Sequence, residues 1–150
     1  AYADIDYFKP FNDAYGFSRG DEVIRMTGRL ISNIIKMYGK DSFIGHVGGD
    51  DFIFIFSGDV ERICKELITN FDGIVPTFYD TADREKGFIE SIDREGNKKS
   101  FPLLSLSIGI AHNTNRKFSH YGKVSEIATE LKSYAKRFKG SCYKIDNRLS

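Results

Sequence analysis

Two strongly apolar runs, residues 42–47 and 52–56, flank the tetrapeptide Gly48-Gly49-Asp50-Asp51, and this stretch constrains the fold more than any other. Alternating apolar and β-branched or aromatic residues on either side of a Gly-containing turn read as a β-hairpin. Glycine supplies the positive φ that such a turn needs, and Asp is an ordinary turn residue. Two adjacent carboxylates at the tip of so apolar a hairpin ask for a further explanation. Gly48-Gly49 would also let a ligand approach the backbone closely.

The rest of the chain supplies partners for that hairpin. Residues 2–6 form a short strand, running into a loop over 8–20 that holds Lys9, Pro10, Asn12, Asp13 and two Gly. Val23, Ile24, Thr27, Leu30, Ile31, Ile34 and Ile35 recur at helical spacing, and Gly39 ends the pattern. Asp59 opens a second helix whose apolar face includes Ile63, Cys64, Leu67 and Phe71, which makes Cys64 a core filler. A second hairpin is expected from residues 87–93 and 98–110, its later strand lying centrally. A helix over 124–138 and a strand over 143–145 follow. Alternating strands and helices with two hairpins interposed predict an α/β (α+β) chain: a central mixed sheet covered by helices on at least one face.

At 150 residues the chain suits a single core and domain. Its 22 basic and 21 acidic side chains lack the basic excess of a generic nucleic-acid or membrane-surface binder, so neither contact is expected. Two cysteines make no disulfide framework and fit a reducing, cytoplasmic compartment. No bilayer-length apolar run or signal peptide is visible. The chain starts without Met, already inside a strand, as an N-terminally truncated piece would.

Three places could carry chemistry. In Asp4-Ile5-Asp6, strand alternation puts both acids on one face and Ile5 on the other. A carboxylate so close to the apolar centre needs a partner, commonly a cation, although a strand leaving the core into solvent would look the same. Should the 42–56 hairpin neighbour this strand, three or four carboxylates converge on one sheet edge, a set suited to Mg²⁺ and phosphoryl transfer. The loop after Asp6 places Lys9 and backbone N–H groups near a helix N-terminus, a natural phosphate cradle. No Walker A or dinucleotide-binding glycine pattern occurs. Asp21, ahead of the helical pattern, suits an N-cap, a role compatible with ligand binding.

The run DIDYFKPFNDAYGFSRGDE, followed by GGDDF and later SLSIGIA, resembles the GGDEF domain of bacterial diguanylate cyclases over nearly the whole chain. The resemblance implies a palm-like nucleotidyl-cyclase fold, condensation of two GTP into cyclic di-GMP with release of two pyrophosphates, and a homodimer for catalysis. It also implies sensory or regulatory domains in the parent chain. By position, Asp4, the Ile5 carbonyl, Asp50 and Asp51 would hold Mg²⁺ (or Mn²⁺), with Asp50 the base. Tyr7, Phe8, Lys9 and Lys136 would contact phosphates, Lys9 also stabilising transition-state charge, and Asn12 with Asp21 would read guanine.

Departures from the family pattern are specific. Asp51 replaces the signature Glu, and His46 replaces the usual Arg before it. Lys139-Gly140-Ser141 replaces the usual Gly-Arg after Lys136. No R-x-x-D product-inhibition motif precedes the signature. These leave a GTP-binding regulatory domain without turnover as the alternative. Residues 76–101 exceed the family's usual connection and are expected to project as a hairpin.

Overall fold

Along β1 (Tyr2–Asp6), Ala3 and Ile5 point to one side of the sheet and Asp4 and Asp6 to the other, and the molecule is arranged around that split. The computed structural model describes residues 1–149. β1 is the middle strand of a five-stranded sheet ordered β2-β3-β1-β6-β7, with β2 (Gly39–His46), β3 (Asp51–Gly58), β6 (Ser105–Ile110) and β7 (Cys142–Ile145). Only β6 and β7 run parallel, so the sheet is mixed but mostly antiparallel.

The apolar face carries Ala3, Ile5, Phe52, Phe54, Leu106 and Ile108. It packs against α2 (Phe17–Tyr38) and α3 (Val60–Ile74), with Phe8 and Phe11 of α1 (Phe8–Tyr15) completing the cluster. Burying these side chains is the main stabilising term, at about 1.5–3 kcal/mol for each large one. Cys64 is fully buried here, as its position in the α3 stripe implies. Asp59 caps α3 by accepting from the Arg62 amide at 3.1 Å. The opposite face is covered by α5 (Tyr121–Ala135), which buries Ile127, Ala128 and Ala135. Gly109 makes that approach possible, because a Cβ there would collide with the Ala128 carbonyl and the Lys132 amide.

Three expectations need correction. Residues 8–20 are not a loop: α1 and the first turn of α2 occupy them, separated by Gly16 at φ 88. Asp21 therefore lies inside α2, whose N-cap is Gly16, and it caps nothing. Residues 98–110 are two strands, because the chain breaks at Leu103-Leu104. β5 (Lys98–Pro102) pairs with β4 (Phe88–Ile92) in a separate two-stranded sheet, and only β6 enters the central one. The stretch before that hairpin is helical, a 3-10 turn at Val75–Phe78 and α4 (Thr81–Lys86).

This segment is fastened to α1. The Tyr79 ring packs edge-on to Phe11 at 5.2 Å, its hydroxyl accepts from the Leu104 amide at 2.8 Å, and the Tyr15 hydroxyl donates to Asp83. No helix among the described residues is long and apolar enough to cross a membrane.

Candidate active site

The polar face of the sheet gathers the chemistry. β1 and β3 pair so that Asp4 lies directly opposite Asp51, and the Ile5 amide donates to the Asp50 carbonyl at 3.2 Å, tying the hairpin turn to β1. Gly48 (φ 72) and Gly49 (φ 55) turn the chain, and the Val47 amide closes it on the Asp51 carbonyl at 2.9 Å. These constraints bring carboxylate oxygens of Asp4, Asp50 and Asp51 within 4.8 Å of one another. They meet between two central strands, not at a sheet edge.

Asp6 does not join them. It accepts from Ser105 Oγ at 2.7 Å and Ser107 Oγ at 2.8 Å, serines that strand alternation puts on its own face of β6. Lys136, at the C-terminal end of α5, bridges the two groups, with Nζ 2.8 Å from Asp6 Oδ1 and also paired with Asp4. Burial pushes the Asp4 carboxyl up to about 7 against the pull of Lys136, and Asp50 and Asp51 add to the rise. Burial also works to lower Lys136, but its hydrogen bonds to Asp4 and Asp6 outweigh that and hold it above the ordinary lysine value. Asp4 Oδ1 is buried with no hydrogen-bond partner. A buried acceptor short of a donor, beside two more carboxylates, suits a hard cation with oxygen ligands.

Next to this cluster lies a cavity of about 190 Å³ lined by Asp6, Tyr7, Ser105, Lys136 and Phe138. Tyr7 stands at its mouth in the left-handed conformation (φ 63) and serves as the N-cap of α1 without a side-chain cap. The first amides of α1 are thus left for another acceptor. Pro10, which has no N–H, costs nothing in this first turn. Lys9 is exposed on the same turn. Further along α1, Asn12 packs so tightly against Gly20 of α2 that a Cβ there would collide with its Oδ1. That oxygen is buried without a partner. The neighbour of Gly20 is the exposed Asp21, so Asn12 and Asp21 share the α1–α2 junction.

Two features escape a reading by residue type. Lys132 reaches Asp51 Oδ1 at 3.3 Å from α5, and its position one helical turn before Lys136 is the signal that could have found it. The serine pair holding Asp6 could have been found from the Ser-x-Ser spacing in β6. His46 is hydrogen-bonded, though on the surface: its Nε2 lies 2.6 Å from the Gly49 carbonyl and its ring tilts over Phe52.

The family model described as "Diguanylate cyclase, GGDEF domain" matches residues 1–140. Among curated proteins, diguanylate cyclase DosC of Escherichia coli K12 is 27% identical over 134 residues. That match covers 89% of this chain but only 25% of DosC. Among solved structures, the GGDEF domain of PA1120 from Pseudomonas aeruginosa superposes with TM-score 0.67 at 20% identity, covering 98% of this chain and 80% of that one. The GGDEF domain of DgcB from Caulobacter crescentus, solved with c-di-GMP, gives TM-score 0.63 at 23% identity, covering 96% and 74%. The structures share the fold, and the family match extends through the acidic strand, the GGDDF turn and α5: the chain belongs to the GGDEF-domain family of diguanylate cyclases.

Proposed function

We propose that this chain is a Mg²⁺-dependent diguanylate cyclase domain, the output domain of a larger cytoplasmic signalling protein, condensing two GTP into cyclic di-GMP. The observation that carries the reading is the grouping of Asp4, Asp50 and Asp51 beside Lys136 and the Tyr7 cavity. The unpartnered Asp4 oxygen and the all-oxygen donor set fit a divalent ion. Held by Asp4, the Ile5 carbonyl, Asp50 and Asp51, Mg²⁺ or Mn²⁺ would neutralise the α-phosphate and acidify the attacking 3′-hydroxyl.

The chain's own residues do the rest. Asp50 takes the 3′-hydroxyl proton as the 3′-oxygen bonds the α-phosphorus of the GTP held by the facing domain. The bond from that phosphorus to pyrophosphate breaks, and a second, symmetric transfer closes the ring. Lys136, Lys9 and the amides around Tyr7 and Phe8 hold the triphosphate and its developing charge. Asn12 carries an amide and Asp21 an exposed carboxylate near the α1–α2 junction. Together they suit the N1–H and N2–H₂ edge of guanine and repel the corresponding edge of adenine. Each domain holds one nucleotide, so the reaction requires a homodimer.

One observation favours a second reading, a GTP-binding regulatory domain without turnover: Asp51 stands where the signature has Glu and is engaged by Lys132. Incubation of the dimerised protein with GTP and Mg²⁺, followed by nucleotide chromatography, separates the two. Cyclic di-GMP that disappears with Asp50→Ala supports the cyclase. Calorimetric GTP binding with no product supports the regulatory domain, and no binding refutes both.

A further inference from the structure

Lys132 is held in an unusual setting. Its backbone amide lies over Gly109, where any Cβ would strike it, so its distance from the sheet is fixed by close packing of α5 on β6. From there its side chain, only 14% exposed, runs to Asp51 Oδ1 at 3.3 Å, with Nζ also 5.9 Å from the centre of the Tyr2 ring. A lysine side chain this well covered favours a nearby counter-ion, and Asp51 is the carboxylate it has. Lys136, four residues on, serves Asp4 and Asp6. Four carboxylates, Asp4, Asp6, Asp50 and Asp51, thus face two lysines of one helix. The carboxylates outnumber the lysines, an excess that a divalent ion would reduce.

We propose that Lys132 is a resident cation of the carboxylate cluster: it occupies Asp51, leaves Asp4 and Asp50 to bind a single divalent ion before nucleotide arrives, and weakens ion binding at Asp51. This deepens the cyclase reading and rests on its ion site. The pairing also gives the shortened signature residue a role. Asp at position 51 reaches one methylene less far toward an ion than the Glu of the family signature, and Lys132 meets it from the helix side. Lys132 is a positioning residue here, acting through Asp51 on the ion.

The test is Mn²⁺ binding to the nucleotide-free chain, counted by electron paramagnetic resonance of the free ion. The parent chain is expected to bind one ion. Lys132→Met, which keeps the apolar stem over Tyr2, should tighten binding about tenfold or add a second ion, while Lys132→Arg should behave as the parent. Asp51→Asn should change binding less than about threefold in the parent, and weaken it about tenfold once Lys132 is gone. Should the Met variant not fold, Lys132→Gln carries the same comparison. Ion binding indifferent to Lys132→Met and Lys132→Gln overturns this inference and leaves the ion site standing. No ion bound by any of these proteins overturns both.

Discussion

The two faces of the central sheet are built from the same strands and do opposite work. On one side, Ala3, Ile5, Phe52, Phe54, Leu106 and Ile108 are sealed under α2 and α3, where the buried Thr27 hydroxyl is satisfied by the Val23 carbonyl. On the other, Asp4, Asp6, Asp51, Ser105 and Ser107 meet the lysines of α5. Period-two alternation writes both faces into a single stretch of chain, so a residue's parity in β1, β3 or β6 decides whether it stabilises or acts. Stability and chemistry should therefore separate under mutation.

The sharpest way to break the comparison is a pair of substitutions on opposite faces. Asp50→Ala should abolish turnover, by about 10³-fold, with a melting temperature no lower than the parent's, since a charge is removed from a crowded acidic cluster. Phe54→Ala should lower unfolding free energy by about 3–5 kcal/mol in denaturant titration, and leave Mn²⁺ affinity unchanged while the protein is folded. Loss of ion binding in Phe54→Ala, or collapse of stability in Asp50→Ala, would show that the faces are not independent.

Gly109→Ala should disturb stability and chemistry together, from the polar face alone. Its methyl group collides with α5 backbone, so it should destabilise by about 1–3 kcal/mol and also move Lys132 and Lys136 away from their carboxylates, measurable as weaker GTP binding.

Smaller effects refine the picture. Asp6→Asn removes one of the two carboxylates holding Lys136 and keeps a polar group for the serines. GTP affinity should change by about tenfold with little loss of stability. Cys64 reports on the apolar face. Burial pushes its thiol up to about 12, so below that pH it stays protonated, and the thiolate fraction near neutral pH is on the order of 10⁻⁴ or less. Alkylation of the native protein at Cys64 should be negligible near neutral pH, appearing as denaturant opens the core.

What could be read from the sequence follows the same division. The hairpin was legible because Gly48 and Gly49 sit between two apolar runs, and α2 because its stripe repeats over several turns. The α1 helix was not. Pro10, Asn12, Asp13 and Gly16 carry turn chemistry, and eight residues are too few to be helical by propensity. Burial of Phe8 and Phe11 holds it instead. The break between β5 and β6 was hidden because Phe101 to Leu104 continue an apolar run, whereas Tyr79 fastens the Leu104 amide from outside it. At the site, Asp4 and Asp6 were visible from parity, and Asp50 and Asp51 from their place at the tip of an apolar hairpin. Lys132 was not, since a reading of α5 by its apolar stripe passes over the charged residue beside it.

The central claim, that the polar face binds a divalent ion and a guanine nucleotide together, is tested most directly by a crystal structure with Mn²⁺ and a non-hydrolysable GTP analogue. The account predicts an anomalous peak among Asp4, Asp50 and Asp51, with the triphosphate between Lys136 and the Tyr7–Phe8 amides. A nucleotide bound elsewhere, or no ion at these carboxylates, would contradict it.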